Sequence, residues 1–327
     1  MKSPFTGGAV RLEREPRVLK FRKEDFPYVA HYYVCVDTGE QFTTTEIDNL
    51  NINQVYNQYR VKYGIPFPDE IKKIREIYEI PSSKMSEILG LGTNQYRLYE
   101  NGEMPSEAIG KLLKSVMNPV TFLGFVKNAE HQFSQTDYEK ILEKTQHAVK
   151  RIDEIHSKDS IFGDGVRSLT NGYAPQSYSR VKNMVLFFIN KCSGVFNTKM
   201  NKLLFYTDFL NYKMYGMGIS GLTYRAIQYG PVPLNWANLY GSLDDVCSDI
   251  VAFPEGYSGV KLCSDLEPDM SVFSQEEIKV MEKVCNQFKN ITSNDISKLS
   301  HNEDAWIKYI GKSLAIDYTE AFSLKAL

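Results

Sequence analysis

The chain has 327 residues, more than one ordinary hydrophobic core accommodates, which points to two or three domains. Its 43% hydrophobic and 24% charged residues are the proportions of a soluble globular protein. Its longest apolar run, Met184–Ile189, falls far short of the roughly 20 residues that span a bilayer. The net charge of −2, from 38 basic and 40 acidic side chains, lacks the basic surplus that nucleic-acid binders use to release counterions.

Met1-Lys2-Ser3-Pro4-Phe5 has no apolar stretch of the kind that opens a secretory signal. Five irregularly spaced cysteines (35, 192, 247, 263 and 285) fit reduced thiols in a cytoplasm better than a disulfide framework. The expectation is a cytoplasmic protein with no membrane partner. Only the first 25 residues lean basic, through Lys2, Arg11, Arg14, Arg17, Lys20, Arg22 and Lys23.

Residues 1–42 read as β-rich, with Tyr and Val dense over Val29–Val36 and turn signals at Gly7-Gly8 and Asp37-Thr38-Gly39. Thr43 and Glu46 form a capping-box pattern opening a helix that carries Ile47, Leu50, Val55, Tyr56 and Tyr59 and stops near Gly64. Pro68 suits the first turn of the next helix, with Ile71, Ile74, Ile77 and Tyr78 on one face. Ser82 or Ser83 then caps a helix burying Met85, Ile88 and Leu89. Gly90-Leu91-Gly92 is a turn, and a third helix runs from about Thr93 to Asn101 with Gly102 as its C′ residue. Further helices follow Pro105 and Asn118-Pro119. An amphipathic helix covers 135–157, including Ile152 and Ile155, and a Gly/Ser/Asn-rich stretch, Asp159–Ser179, separates the domains.

Beyond it, Val181, Met184, Val185, Phe188 and Ile189 line a helix, Thr198–Tyr215 forms another, and Leu222–Tyr229 reads as a strand. Gly230-Pro231-Val232-Pro233 breaks that strand before a short helix around Trp236–Tyr240. Ile250–Cys263 suggests a hairpin, Ser274 and Glu277 cap a helix, and a short helix near Asp295–Leu299 precedes a tail. The expected fold class is α+β, mainly α. It comprises a small β-rich N-terminal module with a helix (1–64), a helix-turn-helix domain (65–130), a helical linker and loop (131–178) and a mostly helical C-terminal domain with a small sheet (179–327).

Helix, Gly turn, helix over 82–101 is the layout in which the second helix enters the major groove and its early residues reach base edges. Those residues are Thr93, Asn94, Gln95 and Arg97. Asn and Gln suit adenine and Arg suits guanine. Ser82 and Lys84 are placed to touch phosphate. The same pattern also fits a fragment of a helical bundle whose polar residues are merely solvated. Metalloprotease, nucleophile-elbow, Walker and dinucleotide motifs are missing, and the histidines at 31, 131, 147, 156 and 301 do not pair with cysteines at ligand spacing. The chain is read as a non-enzyme with no cofactor.

Ile80–Gly102, with Leu89-Gly90, Gly92 and Tyr99-Glu100-Asn101-Gly102, resembles the helix-turn-helix of MqsA-type antitoxins within the Xre-like regulators. Met1–Gly7 and Cys35-x-x-Thr38-Gly39-Glu40 resemble that family's zinc ribbon, but Ser3, Thr6 and Thr38 stand where it has cysteines. One thiol cannot make a structural zinc site, so the module is expected to hold no metal. It would rest instead on Phe21, Phe26, Tyr28, Tyr32, Tyr33 and Phe42, with Cys35 a relic or core residue. Residues 180–310 resemble the Panacea, SocA-like antitoxin domain through Lys199–Asp208, Tyr215-Gly216, Ala226–Pro233 and Leu299-Ser300-His301 with Trp306. Leu203, Leu204, Tyr206 and Phe209 suit a core. Gln228, Tyr229, His301 and Trp306 are the candidates for a partner surface.

These resemblances imply an antitoxin that neutralises a cognate protein toxin by direct binding through the C-terminal domain. They also imply repression of its own operon by binding operator DNA as a homodimer. The alternative is a stand-alone phage or mobile-element regulator, or an adaptor presenting another protein to a protease.

Overall fold

The computed structural model describes residues 1–151, 165–192, 194–253, 256 and 258–327. It is a mixed α+β protein, mainly helical, with small sheets near each end. It divides into two compact units, Met1–Leu19 with Pro27–Gln54 and Lys158–Leu327, and Lys20–Phe26 with Val55–Ser157.

The N-terminal sheet has strand order β1 (Val10–Phe21), β2 (Glu24–Cys35) and β3 (Gln41–Phe42). Arg22 and Lys23, with φ of +47° and +74°, make the turn between β1 and β2. Positive φ at both central residues matches the twist of a two-residue hairpin, a place usually taken by Asn-Gly or Asp-Gly. Helix α1 (Thr45–Tyr63) starts one residue later than the capping-box pattern suggests. Thr44, not Thr43, accepts the Ile47 N–H, at 3.4 Å. Gln54 and Asn51 on α1 reach the β2 backbone, Gln54 accepting from Val29 N–H at 3.0 Å and Asn51 from His31 N–H at 2.9 Å.

The C-terminal part of the first unit is built round α9 (Asn197–Tyr215), preceded by α8 (Tyr178–Lys191). A surface helix buries one stripe, whereas α9 buries every residue from Lys199 to Tyr212, as expected of a helix at a domain's centre. Packed on it are α11 (Gln275–Phe288), α12 (Ser293–Ser300), and a 3-10 turn, Tyr318–Ser323. The short α10 (Trp236–Leu239) and α13 (Asp304–Ile307) complete the α-helices among the described residues of this part; α13 is absent from the sequence reading. The Ser274–Glu277 capping box opens α11 as its spacing predicts. Strands β4 (Val195–Phe196), β8 (Ser258–Cys263) and β7 (Cys247–Ala252) form one antiparallel sheet.

Strand β5 (Tyr224–Ile227) pairs with β6 (Gly230–Pro233), which corrects the reading of Gly-Pro-Val-Pro as a strand breaker. Leu234 N–H bonds Thr223 C=O at 2.8 Å, so the alternating ladder puts Pro231 and Pro233 at the positions that need no N–H.

The second unit holds α2 (Pro68–Tyr78), α3 (Ser82–Ile88), α4 (Gln95–Glu100), α5 (Glu107–Ser115), α6 (Pro119–Asn128) and α7 (Gln135–Lys150). Ile71, Ile74, Tyr78, Met85, Ile88, Tyr96, Leu113, Phe122 and Val126 share its core. Tyr78 stacks on Phe122 at 4.0 Å and donates to Val116 C=O, and Tyr96 donates to Ile71 C=O at 2.7 Å, so both buried hydroxyls are satisfied.

The residue capping α3 is Pro81, with Ser82 inside the first turn, so neither serine is the cap. Helix α4 begins two residues later than expected, because Asn94 takes φ +62°, a conformation open to Asn but not helical. Its end is as predicted: Gly102 and Glu103 donate to Tyr99 and Leu98 carbonyls, a Schellman closure. Ile152, Ile155 and the first residues of the Asp159–Ser179 stretch lie outside the described residues.

Candidate functional site

The four partner-surface candidates come together at the β5–β6 turn. Gln228 and Tyr229 are its two exposed residues, and Tyr229 is 64% exposed, far more than an aromatic with a packing role. Beneath them, Trp306 Nε1 donates to Ile227 C=O at 2.8 Å, and the Gln228 backbone acts on the His301 ring, raising its pKa. His301 also stacks on Trp306, with centroids 4.2 Å apart. Trp306 therefore holds the backbone of the turn, with His301 stacked on it, while Gln228 and Tyr229 are presented by the turn. Leu299 and Ile307, the neighbours in sequence of Ser300 and Trp306, are exposed apolar residues on the same helices.

Gly230 closes the turn at φ +98°, and a Cβ there would collide with Ser300 Oγ and Lys202 Cε. Lys202 is fully buried, and its Nζ has no hydrogen-bond partner among the described residues. Desolvation disfavours the ammonium and pulls its pKa down to about 7. Ser297 Oγ and His301 Nε2 are likewise buried without a partner among the described residues. Burial lowers the His301 pKa, and the nearby Lys202 charge lowers it further. A polar, incompletely bonded layer thus lies directly under the exposed turn. The sequence hides it, because Lys202 sits in an apolar run, Leu203–Tyr206, that reads simply as core.

Two carboxylates shape the rest. Buried Asp208 accepts from Ile219 and Ser220 N–H at 2.7 Å each, from Tyr224 Oη at 2.6 Å and from Ser220 Oγ. Desolvation nevertheless keeps its pKa raised, the donors pulling the other way. Asp208 fixes the loop entering β5. Glu303, also buried, accepts from Tyr206 Oη and from Lys325 and Ala326 N–H at 3.3, 2.8 and 3.0 Å, docking the chain's last residues beside α13. Leu203, Leu204, Tyr206 and Phe209 are core residues with no exposure, as expected.

Residues 200–307, from α9 through α13, match the family model described as the antitoxin SocA-like, Panacea domain. The chain carries a SocA-like Panacea domain. That span contains Lys202, Asp208, the β5–β6 turn, His301 and Trp306, so the whole cluster is internal to the Panacea domain. Comparison with curated proteins and with solved structures gives no match.

In the second unit, Thr93, Asn94 and Arg97 are exposed and lie opposite the buried Tyr96 and Tyr99. Thr93 and Asn94 belong to the turn, not to α4. Gln95 is half-buried and donates to Glu103 at 2.9 Å, while Ser82 is half-buried at the start of α3. Lys84 pairs with Glu87 at 3.1 Å and lies over the Phe133 ring. Two of the six DNA-reading candidates are therefore engaged within the protein.

The four positions likened to zinc ligands also converge. Cys35 is fully buried, Thr6 Oγ1 lies 3.5 Å from its sulfur, and the hydroxyls of Ser3, Thr38 and Thr6 lower its pKa to about 6. One thiol among three hydroxyls does not fit a structural zinc ion. No three metal-ligating side chains cluster among the described residues, and no described helix is long and apolar enough to cross a membrane.

Proposed function

We propose that the protein is the antitoxin of a toxin–antitoxin pair and that its Panacea domain binds a cognate protein toxin directly. The family match carries this reading. The exposed Gln228–Tyr229 turn is its natural contact: an aromatic projecting from a backbone held by Trp306 has the character of an interface anchor. Rigid support lowers the entropy cost of binding.

In the same reading, residues 65–130 form a helix-turn-helix that resembles the MqsA type and reads operator DNA through Thr93, Asn94, Gln95 and Arg97. Residues 1–64 keep a ribbon-like module, 131–178 link the halves, and 179–327 bind the toxin. The exposure of Thr93, Asn94 and Arg97 supports this. Pro68–Glu100 has five basic against six acidic residues, so a homodimer doubling the face is part of the proposal.

The test is co-expression of the product of the adjacent gene with and without this chain. Growth arrest by the neighbour alone, relieved by this chain and by a stable complex between them, is the expected result. Toxicity that persists despite co-expression overturns the reading.

A further inference from the structure

The hairpin of β7 and β8 carries Cys247 at its start and Cys263 at its end. Its antiparallel register sets these two residues directly opposite one another. Opposed residues on antiparallel strands have Cα atoms about 4.5 or 5.5 Å apart and share one face of the sheet. Both spacings lie within the roughly 4.4–6.8 Å that a disulfide spans. The Cys263 sulfur occupies that shared face. It donates to Asp249 Oδ2 at 3.1 Å and lies 3.9 Å from the Cys247 carbonyl oxygen. Asp249 stands two residues from Cys247 on β7, so strand alternation puts Cys247, Asp249 and Cys263 on the same side.

The pair is also within reach of solvent. Cys247 is exposed and Cys263 half-buried, whereas Cys35 and Cys285 are buried. Strand β7 is the outer strand of the order β4-β8-β7, and every residue of it except the half-buried Val251 is exposed.

We propose that Cys247 and Cys263 form a thiol–disulfide exchange site on this outer strand, closing reversibly to a cross-strand disulfide at the expense of small-molecule disulfides. In the first step the Cys247 thiolate attacks a small disulfide, forms a mixed disulfide and expels one small thiolate. Cys263 then loses its proton to solvent, attacks the Cys247 sulfur, forms the Cys247–Cys263 bond and expels the second small thiolate. The protein gives up two protons and two electrons, and the small disulfide takes them up as two thiols.

Asp249 sets the order of the two steps. By accepting the Cys263 S–H it raises the pKa of that thiol, so Cys263 stays protonated and the exposed Cys247 opens the exchange. The register already brings the two backbones within span, so closure needs side-chain rotation rather than rearrangement of the strands. The bond would lock β7 onto β8, which in turn pairs with Val195–Phe196 at the entry to α9. The site does not depend on the antitoxin reading, since it rests on the hairpin alone.

The test incubates the full chain in buffers of increasing oxidised-to-reduced glutathione ratio, quenches with acid, alkylates after denaturation and maps the peptides. Alkylation at 247 and 263 should be lost together, with the appearance of a peptide linked through 247 and 263. Cys263→Ser should stop at a glutathione adduct on Cys247. In Cys247→Ser the adduct on Cys263 should form several-fold more slowly, and adding Asp249→Asn should restore much of the rate. Both thiols staying alkylatable in the fully oxidised buffer, a lasting glutathione adduct on wild-type Cys247, or linkage of either cysteine to a second copy of the chain overturns the proposal. The wild-type map decides the question even where a variant does not fold.

Discussion

The imidazole of His301 lies on the indole of Trp306, the planes 23° from parallel, and the indole in turn donates to the Ile227 carbonyl at the β5–β6 turn. A stacked pair from the end of the Panacea domain thus reaches, through Trp306, a hairpin almost 80 residues earlier in the chain, in a domain otherwise centred on α9.

Trp306→Phe keeps an aromatic under His301 but removes the donor to Ile227. A single neutral hydrogen bond contributes about 1 kcal/mol. The urea midpoint should fall accordingly, and unchanged stability would show that the turn does not rely on this bond.

Gly230→Ala tests the closing residue. At φ +98° and with Ser300 and Lys202 in the path of a Cβ, the substitution has no relaxed solution. A loss of about 2 kcal/mol or more is expected, since positive φ and a steric clash act together. Thermal unfolding beside a control such as Gly241→Ala, where a Cβ meets nothing within 4 Å, separates this from a general glycine effect.

Lys202 makes a prediction in pH. Its folded pKa, about 7, is below the unfolded value near 10.5, so between these limits the unfolded chain binds the extra proton. Stability from this group is therefore full above pH 10.5 and lost as pH falls toward 7, at up to ~1.4 kcal/mol per unit. Lys202→Met should remove that slope and be the more stable protein at pH 7. Equal pH profiles for the two, by denaturant titration, would contradict the burial of an unpaired ammonium.

Tyr229→Ala should leave folding nearly unchanged, because the side chain is mostly in solvent. Binding to the toxin should weaken by about 2 kcal/mol or more if the ring is an anchor. Calorimetric titration of the purified pair measures this, and unchanged affinity would place the contact elsewhere.

Arg97→Ala should abolish operator binding and leave toxin neutralisation intact, as read by gel shift and by growth. Gln95→Ala, which also releases Glu103, is expected to cost less than Arg97→Ala because Gln95 is already bonded. Parallel loss of both activities in Arg97→Ala would argue against separate modules.

The legibility of the sequence followed local chemistry. Helices α6 and α11 were plain because Asn118-Pro119 and the Ser274–Glu277 box each satisfy first-turn N–H groups in a recognisable way. Strand β1 was not, since Arg11, Glu13, Arg14, Glu15 and Arg17 give it little apolar alternation and Arg22-Lys23 carries no usual turn signal. The grouping of Gln228, Tyr229, His301 and Trp306 came from resemblance, and the structure shows that the four are neighbours. The burial of Asp208 escaped notice because charged residues are expected outside, and only tertiary packing of α9 overrides that expectation.

Trp306 grips a carbonyl oxygen rather than a side chain, so this support of the turn does not depend on which residues stand at 228 and 229. Those two positions can be varied without touching that bond, so the hairpin tip can be altered in sequence while its backbone anchor stays in place.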